Sequence, residues 1–206
     1  MEQLILIVDD QPQNLQVLST TLRQAGYQVA AANSGPTAIR ILDRRQPDLV
    51  LCDVVMPGMD GYELCRRLKA LPQGRDIPLM FVTARSDSQA IMEGFESGAV
   101  DFVLKPFNTP ELLARVRTQL DLRQARLTIL DYARRMDELA QSDQELRSTA
   151  AELKANLEVL LQQVGELEKD SATLSQAELS GRLQAIQQQI GQVLDQFGPL
   201  LEATKA

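Results

Sequence analysis

Five short apolar runs, separated by amphipathic helical patterns, constrain the fold of this chain more than any other feature. The runs are rich in Val, Ile, Leu and Ala and occupy residues 4–8, 27–31, 48–52, 78–82 and 101–104. Short apolar runs bounded by turn-forming residues are typical of parallel strands that are buried on both faces. Because crossovers between parallel strands are right-handed, the alternation predicts an α/β domain with a five-stranded, doubly wound parallel sheet.

The composition changes partway along the chain of 206 residues. Most Gly, Pro and aromatic residues lie before about residue 110, whereas Leu, Gln, Ala, Glu and Arg dominate the remainder. The change indicates a globular first part and a helical second part. We therefore predict one domain at residues 1–123, followed by helical segments at 124–170 and 176–206.

Charge and residue types exclude several classes of function. The formal net charge of -7 argues against direct nucleic-acid binding, which normally requires a basic surface. We expect the arginines at 115, 117, 123 and 126 to form a solvated helix face. The chain has no His, and we expect its two Cys residues, Cys52 and Cys65, to be small core residues. Zinc chemistry and His-based catalysis are therefore not expected.

The sequence also lacks the pattern of a membrane or secreted protein. No apolar run approaches the roughly 20 residues that cross a bilayer, and the first residues lack the basic region of a secretion signal. We therefore expect no membrane span and a cytoplasmic location.

Polar side chains follow four of the five apolar runs. Asp9 and Asp10 follow the first run, Asp53 follows the third, Thr83 follows the fourth and Lys105 follows the fifth. Ligands of open α/β sheets bind beyond the carboxyl ends of the strands, so we expect these groups to gather there. Mg²⁺ prefers clustered oxygen ligands and retains several waters, which suits the three carboxylates.

Four motifs in this order resemble the receiver domain of bacterial two-component response regulators. They are Val8-Asp9-Asp10, the segment from Asp53 to Gly61, Thr83-Ala84 and Lys105-Pro106-Phe107. The resemblance covers residues 1 to about 123 and implies a flavodoxin-like fold. It also implies a sensor histidine kinase or phosphotransfer protein as partner, a cis Lys105–Pro106 peptide and a Mg²⁺ cofactor.

The resemblance assigns a role to each site residue. Asp53 is the expected phosphoacceptor, Lys105 pairs with a phosphoryl oxygen and Thr83 donates a hydrogen bond to another. Asp10 and Asp53 are the expected direct metal ligands, together with the backbone carbonyl of Val55, while Asp9 acts mainly through water. In the alternative, the strand-end acids only cap helices and Lys105 makes an ordinary ion pair. This alternative requires all five residues to stand at the positions of the family's motifs by chance.

Two further positions concern the signal and its lifetime. The resemblance implies a switch that couples Thr83 to Phe102, although plain core packing is the alternative for Phe102. Val55 lies two residues after Asp53, at a position that tunes hydrolysis of the acyl phosphate in this family. Because its apolar side chain cannot orient an attacking water, we predict a long-lived phosphoryl group.

A heptad pattern dominates the second part. Leucines recur every seven residues at Leu139, Leu146, Leu153, Leu160 and Leu167, with a second apolar set three residues before them that Asp143 interrupts. This is the a/d seam of a coiled coil. Between residues 111 and 170 there is no Pro and only one Gly, Gly165, so we predict one helix from Thr109 to about residue 170, roughly 90 Å long at 1.5 Å per residue. A capping box at Ser175 and Glu178 predicts another helix, which either folds back or continues after a kink. The alternative is one long helix with a stutter.

These observations lead to two hypotheses. In the first, the chain is a response regulator that signals through a homodimeric coiled coil to an unidentified protein target. In the second, the helices fold back within one chain as a constitutive scaffold, and the receiver is a phosphate sink. In either case we expect a phosphoacceptor that assists its own phosphorylation and dephosphorylation, and not an enzyme for an external substrate.

Overall fold

The structure is a computed structural model that describes residues 3–139, 144–171 and 174–203. The chain divides into two compact units, Met1–Arg123 and Gln124–Ala206. The first is built around a sheet, and the second consists of helices.

The first unit contains five parallel strands in the order β2-β1-β3-β4-β5. This order places β1 and β3 at the centre, so their residues are buried on both faces. The predicted five-stranded parallel α/β fold is confirmed. The strands are β1 (Leu4–Val8), β2 (Gln28–Ala32), β3 (Leu49–Cys52), β4 (Leu79–Thr83) and β5 (Asp101–Leu104).

Helices cover both faces of this sheet. Alternate side chains of a strand point to opposite faces, so Leu6 and Val8 pack in one core while Ile5 and Ile7 pack in another. The first core includes side chains of α2 and α3, and the second includes side chains of α1 and α5. The helices are α1 (Pro12–Gln24), α2 (Gly35–Leu42), α3 (Gly61–Ala70), α4 (Ser88–Glu96) and α5 (Thr109–Leu139).

The second unit contains the end of α5 followed by α6 (Gln144–Asp170) and α7 (Gln176–Ala203). The predicted single helix from Thr109 to about residue 170 is wrong. Arg126 Nη1 lies 3.3 Å from Glu168 Oε2, and Lys154 Nζ lies 3.0 Å from Asp137 Oδ1. These pairs require α6 to run antiparallel to α5. Residues 140–143, between the two helices, lie outside the described residues.

The leucine seam explains this difference. A heptad pattern specifies an apolar stripe that another helix must cover, but it does not specify whether that helix belongs to the same chain. Leu153, Leu160 and Leu167 are buried within this one chain, so the fold-back covers this part of the seam without a second copy. The side chains of Leu139 and Leu146 lie outside the described residues.

Helix α7 folds back along α6. Arg182 Nη1 lies 3.4 Å from Asp170 Oδ2 across the connection, and Leu179, Leu183 and Ile186 are buried. At its start, Ser175 N–H donates to Glu178 Oε2 over 3.0 Å and Glu178 N–H donates to Ser175 Oγ over 3.4 Å. This reciprocal pair is a capping box. Across the described helices, none combines the length and apolar character needed to span a bilayer.

Candidate phosphoacceptor site

Strand pairing brings the predicted site residues to one edge of the sheet. Asp53 N–H donates to the Val8 carbonyl over 2.8 Å, and Lys105 N–H donates to the Thr83 carbonyl over 2.8 Å. Each bond extends a strand pair by one residue beyond its carboxyl end. The residues that follow the strands therefore start close together, at the edge where open α/β sheets bind ligands.

Lys105 joins two of the acids. Its Nζ donates to Asp9 Oδ2 over 2.7 Å and to Asp53 Oδ2 over 2.8 Å. Burial by itself would lower the pKa of Lys105, but the hydrogen bonds and charges of Asp53 and Asp9 outweigh burial and raise the pKa above its ordinary value. The lysine is therefore charged near neutral pH, next to the predicted phosphoacceptor. The Lys105–Pro106 peptide is cis.

Asp9 is fully engaged by hydrogen-bond donors. Its Oδ1 accepts from Gln11 N–H over 2.9 Å, and Asn14 Nδ2 lies 3.0 and 2.9 Å from its two oxygens. These contacts leave Asp9 less available as a direct metal ligand, in keeping with the predicted action through water. Asn14 is not among the predicted site residues, because its only signal in the sequence is a polar side chain in the first turn of α1.

Asp10 differs from Asp9 in the hydrogen bonding of its carboxylate. Its Oδ1 is buried, and no hydrogen-bond donor reaches this atom from the residues that the structure describes. Ligand oxygens of Asp9, Asp10 and Asp53 all lie within 4.8 Å of one another. A buried carboxylate oxygen without a partner is costly unless a cation or donor satisfies it. The three acids therefore fit a hard cation such as Mg²⁺.

Val55 lies at the edge of the site. Its N–H is 3.4 Å from Asp53 Oδ1, and the residue is 60% exposed. An exposed apolar group offers no donor or acceptor to a water near Asp53. The ligand role of the Val55 carbonyl stays a prediction.

Thr83 and Phe102 both line a narrow cavity between the sheet and α4. Thr83 is buried and its Oγ1 accepts from Arg85 N–H over 3.2 Å, while the half-buried Phe102 packs edge-to-face on Phe95 with ring centroids 5.9 Å apart. The cavity holds about 10 Å³, barely the space of one water. A phenyl ring cannot enter it unless neighbouring groups move.

A buried ion pair connects β5 to α5. Arg115 Nη1 lies 3.0 and 3.1 Å from the two oxygens of Asp101, and Phe102 N–H donates to Asp101 Oδ1 over 2.8 Å. Burial raises the pKa of Asp101 although the charge of Arg115 opposes the shift. The expectation that Arg115 belongs to a solvated face is wrong, because the guanidinium reaches back to a buried acid next to Phe102.

The fold and this site define a class of protein: an α/β domain that gathers three carboxylates and a lysine at the carboxyl edge of a doubly wound parallel sheet. The family model described as "Response regulator receiver domain" matches residues 5–117. The chain belongs to this family, whose members take part in two-component signalling. Phosphorylation on Asp and binding of Mg²⁺ are general features of the family.

Similar proteins share the receiver but differ in length. The chain is 45% identical over 114 residues to the response regulator PleD of Caulobacter vibrioides, which covers 55% of this chain and 25% of PleD. It is 42% identical over 120 residues to the DNA-binding response regulator MtrA of Mycolicibacterium smegmatis, covering 58% and 51%. The chain thus spans between a quarter and about half of the length of these relatives.

A solved structure provides a comparison for the site. The receiver domain of a sensor histidine kinase from Pseudomonas aeruginosa, with a magnesium ion coordinated in its active-site cleft, is 32% identical with a TM-score of 0.55. The match covers 58% of this chain and 98% of that domain. It therefore compares the receiver alone.

Proposed function

We propose that this chain accepts a phosphoryl group on Asp53 from a sensor histidine kinase or phosphotransfer protein, and signals through protein contacts of its helical unit. One observation carries the proposal. Lys105 bridges Asp9 and Asp53, while the buried Oδ1 of Asp10 lacks a partner among the described residues. This arrangement combines a positive charge with a cluster of carboxylate oxygens that suits a cation, beside the proposed acceptor.

The reaction follows from these groups. A carboxylate oxygen of Asp53 attacks phosphorus, an O–P bond forms, and the P–N bond of the phosphohistidine breaks with imidazole as leaving group. Lys105 then pairs with one phosphoryl oxygen and the Thr83 hydroxyl donates to another. Asp10, Asp53 and the Val55 carbonyl would hold Mg²⁺, with Asp9 acting through water, and the ion would supply charge neutralisation. Positioning and electrostatics are the main demands of phosphoryl transfer.

We propose a signalling role and not catalysis on an external substrate. Within residues 3–139, 144–171 and 174–203, one cluster of three or more potential metal ligands occurs, and it is the acceptor site itself. The same groups would assist formation and hydrolysis of the aspartyl phosphate. A cytoplasmic location suits a phosphodonor of this kind.

The helical unit fits two hypotheses, an output through protein contacts that responds to phosphorylation and a constitutive scaffold that does not. The predicted homodimer through the leucine seam loses support, because Leu153, Leu160 and Leu167 of that seam are covered within one chain. This fold-back also favours the second hypothesis, a constitutive helical scaffold with the receiver as a phosphate sink. Comparing oligomeric state and partner binding with and without beryllofluoride, a phosphoryl mimic, separates the two, because only a switched output responds.

Intact-mass measurement after incubation with acetyl phosphate and Mg²⁺ tests the proposed acceptor. We expect wild type to gain one phosphoryl group and Asp53→Asn to gain none. Asp43→Asn, which changes an exposed acid at the end of α2, is the matched control and should behave as wild type. A folded wild-type protein that gains no mass would refute the proposal.

A further inference from the structure

The first turn of α1 lies directly beside the acidic cluster. Asp9 Oδ1 accepts a hydrogen bond from Gln11 N–H, in the kind of local turn that Asp side chains commonly form. Pro12 then begins α1, where the missing N–H of proline costs nothing. Side chains of a helix tilt toward its N-terminus, so Asn14 reaches back toward Asp9. Its Nδ2 lies 3.0 and 2.9 Å from Asp9 Oδ1 and Oδ2.

The donors around Asp9 fill its carboxylate. The two oxygens of an ionised carboxylate offer about four lone-pair sites in total. Gln11 N–H and Asn14 Nδ2 contact Oδ1, while Asn14 Nδ2 and Lys105 Nζ contact Oδ2. Asn14 thus occupies half of the acceptor capacity of Asp9. A cation could bind an Asp9 oxygen directly only by displacing one of these donors.

Distance does not exclude Asp9 from the metal site. Asp9, Asp10 and Asp53 each offer an oxygen within 4.8 Å of the others. In contrast to Asp9, the buried Oδ1 of Asp10 receives no hydrogen bond from the described part of the chain. Asp9 and Asp10 therefore differ in the donors that hold them and not in their proximity. Hydrogen bonding decides whether Asp9 can bind an ion directly.

The number of direct carboxylate ligands affects which ion the site prefers. Mg²⁺ requires near-octahedral geometry and retains several waters, so it suits a site with few direct protein ligands. Ca²⁺ takes about 6–8 oxygen ligands in flexible geometry, so an added carboxylate favours Ca²⁺ more than Mg²⁺. A free Asp9 would add a third direct carboxylate to those of Asp10 and Asp53. An Asp9 held by hydrogen bonds leaves that position to water.

We propose that Asn14 makes the acceptor site selective for Mg²⁺ over Ca²⁺, by engaging Asp9 so that this acid acts on the ion through water. Asn14 is a positioning residue, since it acts through Asp9 and does not touch the ion. Its amide is neutral, so it restrains Asp9 without changing the charge of the cluster. The inference rests on the proposed function, because it takes the acceptor site to be the metal site.

Titration of the isotope-labelled, full-length chain with Mg²⁺ or Ca²⁺, followed by nuclear magnetic resonance, measures the two Kd values. Asn14→Leu replaces the amide with an apolar group of similar size. It should lower the ratio of the Ca²⁺ Kd to the Mg²⁺ Kd by at least about tenfold, the lower end of the effect of residues that support a metal ligand. Asn14→Ala should lower the ratio as well. Gln16→Leu is the matched control, since Gln16 is an exposed amide on the same helix, and it should keep the wild-type ratio.

The outcomes separate this inference from the proposed function. A purely structural role of Asn14 would lower stability and leave the ratio unchanged, and that result overturns the inference. So does an equal change of the ratio in Asn14→Leu and Gln16→Leu. Acetyl phosphate labelling of the same proteins reports on Asp53 separately. Labelled wild type with a ratio that Asn14→Leu does not alter rejects the role of Asn14 alone, and wild type that binds Mg²⁺ but gains no phosphoryl group rejects the acceptor role alone.

Discussion

At the scale of single residues, the polar groups at the strand ends divide into satisfied and unsatisfied ones. Lys105 and Asp9 have several close partners, whereas Asp10 Oδ1 has none within the described part of the chain. Groups that are already paired hold the geometry of the site. The unpaired oxygen marks the place where a cation would lower the free energy of the folded state.

Val55 provides a test of phosphoryl lifetime. Because its side chain is apolar and exposed beside Asp53, it cannot hold a water for attack on phosphorus. Val55→Asn introduces a polar group that can, so we expect loss of phosphate to accelerate by at least about tenfold, below the roughly 10²–10⁴ range of full general-base catalysis. Intact mass followed over time measures the rate.

Val55→Leu serves as the control for that substitution, because it changes the size of the side chain without adding a polar group. It should leave the lifetime close to that of wild type. A wild-type aspartyl phosphate that decays within seconds would contradict the argument.

The five predicted acceptor-site side chains share one property that the sequence reveals: each lies at or just beyond the end of a strand. Asn14 and Arg115 were missed because their roles depend on how far a helix side chain reaches toward another element. Arg115 lies fourteen residues from Asp101, and no periodicity in the sequence links the two. Contacts of this kind become visible only when the elements are packed.

At the scale of elements, replacing either of two glycines by alanine should change the stability of the chain in opposite directions. A Cβ on Gly61 would lie 2.3 Å from the Asp53 carbonyl oxygen, whereas one on Gly165 would meet nothing within 4 Å. Gly61→Ala should therefore destabilise the receiver by about 1–3 kcal/mol through overpacking. Gly165→Ala should stabilise α6 by roughly 0.5–1 kcal/mol, because glycine disfavours a helix interior. Urea denaturation measures both, and a destabilised Gly165→Ala variant would contradict the second expectation.

The capping box of α7 predicts a pH dependence. Two hydrogen bonds from Ser175 lower the pKa of Glu178 below its ordinary value of 4.5, and the bond from the Ser175 side chain has a larger effect than the bond from its backbone. A carboxyl with a lowered folded-state pKa contributes stability above its unfolded value and loses it as pH falls through the folded value. We therefore expect acidification to weaken the start of α7.

Glu178→Gln is the matched variant, since Gln retains the geometry of a capping box without titrating near pH 4.5. Far-ultraviolet circular dichroism should show wild type losing more helix than Glu178→Gln as pH falls below 4.5. Equal losses in the two proteins would argue against the contribution of Glu178.

The helices show where sequence patterns reach their limit. The apolar seam and the cap at Ser175 were visible in the sequence, but the reversal between α5 and α6 was not. Segments without Pro or Gly can still end a helix when the same apolar stripe is better covered by turning back. The energy of that choice depends on tertiary packing, which helix propensity does not report.

At the scale of the whole molecule, Mg²⁺ should stabilise the folded chain by mass action. A ligand that binds only the native state raises stability as its concentration rises above Kd. We expect the melting temperature of wild type to rise with Mg²⁺ and to fall again with excess chelator. Asp10→Asn should melt near wild type without metal, because no described residue donates to Asp10 Oδ1, and should respond little to Mg²⁺.

Calorimetry in matched buffers measures these shifts, and Asp43→Asn again provides a control at an exposed acid. Asp43 lies at the end of α2, so that variant should keep the full response to Mg²⁺. An equal response of wild type and Asp10→Asn would mean that the ion stabilises the chain elsewhere.

The antiparallel course of α6 against α5 and α7 also bears on how the molecule acquires its shape. Helical hairpins close over short loops and fold quickly, whereas the sheet must join β1 to β3 across more than forty residues of intervening chain. After denaturation, the helical unit should regain its structure ahead of the receiver. The proposed output unit would then refold before the receiver that controls it.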